Sequence, residues 1–228
     1  MSDTRRSSYE AIIVALAPAA LLGALVAHPY LAGRLPNDAA VAEAAAADAT
    51  RWGLVHLATA VASALVILAF LAIRSYLRDA GDHRLSAFGV PFVVIGSTLF
   101  AVLAGMEFAA LATAETGGDL ADIAAAQAAL QVWFVPVLAT GALTFAIGVF
   151  AFIRDITTTG ILSRPLTAVV VGALAVMALS RAVPLAVAQF YVQSAAAILA
   201  LWPLAHHIWR DSTPRAAAQP GRAQAVRS

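Results

Sequence analysis

Two side chains stand out as able to do chemistry in an otherwise apolar sequence. They are His56, in WGLVHLATAV, and Glu107, in VLAGMEFAAL, each about one and a half turns inside the outer end of an apolar run. An imidazole and a carboxyl at one depth can bind a cation or proton, or orient a small polar ligand. Amides accompany them: Gln127 with Gln131, and Gln189 with Gln193, each an i,i+4 pair and so on one helix face. Those faces should point inward, because an amide turned to lipid lacks partners. Arg181, near the end of an apolar run, would add a positive rim. His56, Glu107, Gln127, Gln131, Arg181, Gln189 and Gln193 form the expected ligand-binding set, lining a polar pocket open to the extracytoplasmic side. The competing reading makes them interhelical glue, with Glu107 paired to Arg181 or a glutamine and each polar contact contributing about 0.6 kcal/mol.

Other chemistry is thin. The chain has no cysteine, which removes thiolate metal sites, thiol catalysis, disulfides and CxxCH haem attachment. It contains no HExxH, GxSxG, GxxxxGK[ST] or GxGxxG. His206 and His207 are adjacent, so on a helix they point about 100° apart and do not chelate as an i,i+4 pair would. A haem or metal held by imidazoles would need His28 beside His56. No catalytic set and no metal site is assigned, and the cofactor stays open.

These residues must be positioned by membrane helices. Of 228 residues 61% are hydrophobic and only 12% charged, with a mean hydropathy of +0.84, unlike a soluble domain, a disordered chain or a disulfide scaffold. A net charge of +1 gives no reason to expect nucleic acid as a partner. Runs long enough to cross a bilayer lie at about 10–32, 52–73, 87–113, 123–153, 165–185 and 187–208. The expectation is an all-α, polytopic bundle of six transmembrane helices, one domain over 1–210, followed by a disordered cytoplasmic tail over 211–228. All 14 basic residues are arginine. Placing both termini in the cytoplasm puts eleven of them inside and only Arg34, Arg51 and Arg181 outside. The first run exceeds the apolar core of a signal peptide and reads as an uncleaved span.

Local signals refine this plan. Asn37 or Asp38 can cap a helix running through Glu43 and Asp48 into the second span, and Asp119 one running through Asp122 into the fourth. Pro184 and its neighbours must turn the chain between the last two runs. Tyr30, Trp52, Trp133, Trp202 and Trp209 fall near span ends and read as interfacial belt residues. Trp52–Arg74 and Trp133–Arg154 share Trp, Leu-Ala-Thr and a terminal Ile-Arg, with Gly96 matching Gly172 downstream. This suggests a tandem hairpin repeat, spans 2–3 and 4–5.

Three functions fit: binding or transport of a small solute, ion or proton; an accessory subunit that meets a membrane-protein partner or another copy; and a membrane-embedded enzyme. The expected partner in all cases is the lipid bilayer, and the expected location a bacterial cytoplasmic membrane. The arginine distribution makes the topology testable. Alkaline phosphatase fused after Arg84 or Arg164 should be inactive, since that enzyme needs export; activity at either site would refute cytoplasmic placement.

Overall fold

The computed structural model describes residues 3–81 and 84–212. All its regular elements are helical: α1 (Asp3–Ala27), α2 (Asp38–Ala47), α3 (Ala49–Asp79), α4 (Arg84–Met106), α5 (Phe108–Glu115), α6 (Leu120–Thr159), α7 (Arg164–Ser180) and α8 (Gln193–Ser212). A π-helical segment, Val187–Val192, leads into α8. Five helical segments are long and apolar enough to cross a membrane, and α7 is a shorter apolar helix. Of the tail expected over 211–228, Asp211 and Ser212 still belong to α8, and the rest lies outside the described residues.

The distribution of side chains is inverted relative to a soluble fold. On α3, Leu54, Leu57, Val61, Leu68 and Leu71 are exposed, while His56, Thr59 and Ser63 are buried. So wide an apolar surface is compatible with lipid and not with water. Hydroxyls facing inward return their proton to the preceding turn, as Thr59 does to the Val55 carbonyl (2.8 Å) and Ser63 to that of Thr59 (2.8 Å).

Helix ends follow the capping residues. Asn37 accepts from the Ala40 amide (3.2 Å) and starts α2. The helix expected to continue into the second span breaks at Asp48, whose carboxylate accepts from the Arg51 amide (2.9 Å) and opens α3 as a separate helix. Asp119 accepts from the Ala121 and Asp122 amides, and the Asp122 carboxylate accepts in turn from the Asp119 amide. From this capping box α6 runs 40 residues to Gly160. At 1.5 Å per residue that is about 60 Å, well beyond the roughly 30 Å of hydrocarbon.

Three expected runs differ from the helices that form. The first helix ends at Ala27, and an irregular stretch follows to Asn37. The third is interrupted at Glu107. The fifth stops at Ser180, and the chain turns over 181–185. That turn pairs with the α1–α2 connection, the Leu35 amide donating to the Pro184 carbonyl (3.0 Å) beside an Arg34–Leu185 bridge.

The tightest seam joins α4 to α6, antiparallel and glycine-lined. A Cβ on Gly96 would lie 2.6 Å from the Phe145 amide nitrogen and Cβ, and one on Gly148 would lie 2.7 Å from the Val93 amide nitrogen. The backbones are therefore as close as glycine allows. At the Arg84 end of the seam, buried Asp155 accepts from the Ser86 amide (2.6 Å), placing a carboxylate at the positive end of α4. Gly172, the residue matched to Gly96 in the sequence comparison, meets nothing within 4 Å. Gly96→Ala should cost about 1–3 kcal/mol of stability by prising the seam apart. Gly172→Ala should be neutral or mildly stabilising, because a helical glycine gains about 1 kcal/mol from the methyl. Thermal unfolding in detergent compares the two.

Candidate functional site

Where α1 ends, α3 begins and α4 breaks, the helices part around a cavity of about 80 Å³, room for several waters or a very small solute. The α1–α2 connection contributes Leu31, Leu35, Pro36 and Asn37 to one wall. The polar lining is His28, Asn37, His56, Thr59, Glu107, Gln127 and Gln189, and the rest is chiefly leucine and phenylalanine.

Glu107 is there because α4 breaks. Its own carbonyl receives only a long bond from the Leu111 amide (3.4 Å), and the Trp52 indole donates to it across the bundle (3.1 Å). Trp52 is therefore buried, 1% exposed, and not the interfacial belt residue its place near a span end suggests. Trp133, Trp202, Trp209 and Tyr30 are exposed, as a belt would have them. The Glu107 side chain is buried; Oε1 accepts from Gln127 Nε2 (3.1 Å), while Glu107 Oε2 and Gln127 Oε1 are buried with no partner.

The histidines form a second polar group. His56 Nδ1 contacts the Trp52 carbonyl at 2.7 Å, His28 Nδ1 the Pro29 carbonyl at 2.7 Å, and the two Nε2 atoms face each other at 3.3 Å. Trp52 lies 4.5 Å from the His56 ring and Phe190 lies 4.5 Å from the His28 ring, centroid to centroid. Direct contact between the imidazoles leaves no space for a porphyrin between them, so the haem alternative does not fit this geometry. Among the described residues no group of three or more His, Cys, Asp or Glu converges as metal ligands would.

The remaining expected residues scatter. Gln131 shares its face with Gln127 but donates to Asp38 on α2 (2.6 Å), tying α2 to α6. Gln189 lines the cavity and donates to the Arg181 carbonyl (3.3 Å). Gln193 is fully buried, with neither amide atom partnered, and does not line the cavity. Arg181 is a correction: it is only 2% exposed and forms no rim. Its guanidinium lies 3.6 Å from the Phe145 ring centroid and 4.5 Å from that of Phe100, and all three of its nitrogens lack acceptors. No ion pair joins it to Glu107 among the described residues. Two aromatic faces stabilise the cation by about 2 kcal/mol each, against a cost of several kcal/mol for burying a charge without a partner. Sequence reasoning missed Trp52 as a site residue, although its i,i+4 spacing to His56 is visible, and it missed Phe100, for which no local signal exists.

No protein-family model, curated protein or solved structure matches this chain. The arrangement must be interpreted from its own chemistry. The unpaired guanidinium supplies the first test. Arg181→Met, similar in length but uncharged, should raise the unfolding temperature, corresponding to about 1–4 kcal/mol. A fall of several degrees would mean that the guanidinium holds an acceptor in the folded protein.

Proposed function

We propose that this is a multi-pass membrane protein whose cavity binds, and passes across the bilayer, a small solute or ion that donates hydrogen bonds. The observation that supports it is the pair of buried acceptors, Glu107 Oε2 and Gln127 Oε1, left without donors beside open space. An unsatisfied buried group costs about 1–3 kcal/mol, and unlike the equally unpartnered Gln193 amide these two groups lie on open space that a donor can enter. Two adjacent acceptors call for a ligand with N–H or O–H groups, and a carboxylate favours one carrying positive charge. Ammonium, a small primary amine and hydrated protons meet that description and the cavity's size.

The same reading takes α7 as a sixth span. Its 17 residues rise about 26 Å, close to the hydrocarbon thickness, with Arg181 following at its end. Both termini then lie in the cytoplasm of a bacterial cell, and the cavity opens to the extracytoplasmic side under the α1–α2 connection. An accessory role without a ligand would leave these two acceptors to whatever water the cavity holds. An enzyme would need a nucleophile or an acid–base pair set against a substrate, and Glu107 bonds only to an amide.

Purified protein in detergent, heated with ammonium, methylammonium or ethanolamine chloride against sodium chloride, tests the binding step. At least one amine should raise the unfolding temperature of the native protein. Glu107→Gln should weaken that effect about 10- to 100-fold in concentration, with the ligand-free unfolding temperature nearly unchanged. If Glu107 is structural, the substitution should instead lower the ligand-free unfolding temperature while no amine shifts either protein.

A further inference from the structure

His28 and His56 make three polar contacts between them, and those contacts need three protons. A carbonyl oxygen only accepts, so the nitrogen lying 2.7 Å from it must carry hydrogen. This fixes both imidazoles as Nδ1–H when neutral, His56 toward Trp52 and His28 toward Pro29. Each Nε2 is then a bare lone pair, and the two face each other at 3.3 Å in the geometry of an N–H···N bond. Two neutral imidazoles hold two protons; the third contact has none. Moving a proton to one Nε2 would only transfer the deficit, setting a lone pair against a carbonyl at shorter range.

We propose that the pair is a site for one excess proton, held between the Nε2 atoms as an imidazolium donating to a neutral imidazole. Taking it up breaks no bond in the pair and gives all three contacts a hydrogen. The surroundings include what such a charge requires. The rings of Trp52 and Phe190 lie against the pair. Glu107, at the α4–α5 break, is the carboxyl that lines the same cavity, and Gln127 of α6 and Gln189 of the π segment line it as neutral amides. Two cations oppose the charge: Arg51, whose Nε donates to the Ala27 carbonyl (2.8 Å), and Arg181, behind Phe100. The cavity supplies the route by which water brings the proton. The inference rests on the histidine contacts alone and stands whether or not an amine binds at Glu107.

Full-length protein labelled with ¹⁵N-histidine and reconstituted in phosphatidylcholine bilayers tests it by solid-state NMR. Lowering the pH should convert the pair from two neutral Nδ1–H imidazoles to one imidazolium and one imidazole in a single step, with through-bond coupling across the Nε2–H···Nε2 bond. In His28→Phe the remaining His56 should hold its proton at least tenfold more weakly, shifting its titration down by one pH unit or more; His56→Phe should do the same to His28. Should either variant fail to fold, the coupling in the native protein decides alone. The proposal fails if both Nε2 atoms stay unprotonated at every pH at which the protein is folded. It fails equally if one neutral imidazole carries its hydrogen on Nε2 with Nδ1 bare, or if the two histidines titrate independently.

Discussion

A helix that breaks inside an apolar bundle weakens its own main-chain bonds, and at Glu107 the carbonyl, held only by a long bond from the Leu111 amide, is met by the Trp52 indole. Much of the cavity end of the molecule follows from that bond. It draws Trp52 into the bundle, which sets His56, one turn on, against the same cavity. It also fixes the backbone of Glu107 so that the carboxyl turns inward to Gln127. Without the break, the third apolar run would be one continuous helix and its carboxyl would sit on whichever face the period dictated.

Fold class was legible because bilayer physics leaves few choices: long apolar runs must become helices, and Asn37 and Asp119 announce helix starts by side-chain chemistry. Glu107, His56, Gln127 and Gln189 could be singled out because polar groups in such runs are costly. What was not legible depends on geometry between distant segments. The break at Glu107 has no proline or glycine at its centre to signal it. Trp52 looks interfacial until its partner is known, and Arg181 looks like a rim residue until the chain is seen to turn it inward between Phe100 and Phe145. Asp155 lies just beyond an apolar run, where a carboxylate ordinarily meets water, and only the packing of α4 on α6 reveals it as a buried cap.

The two halves of the bundle differ in how they are held. Along the α4–α6 seam, glycines bring backbones together, and cohesion comes from close contact around Phe70, Phe145 and Phe152. Around the cavity, cohesion comes from directional bonds between unlike elements: indole to carbonyl, amide to carboxyl, imidazole to imidazole. The first arrangement is rigid because it has no slack. The second contains atoms still lacking partners, and such groups gain most when something arrives to satisfy them.

The pairing of Leu35 with Pro184 also bears on how this protein can vary. It joins two distant connections through main-chain atoms, so the wall it helps to form does not depend on which side chains occupy those positions. Leu35, which lines the cavity from that connection, can thereby change in size and polarity while the strap that carries it stays fastened. In evolutionary terms this separates the scaffold from its selectivity: descendants of one ancestor could keep the carboxyl and the imidazoles and reshape only the apolar lining that the strap carries.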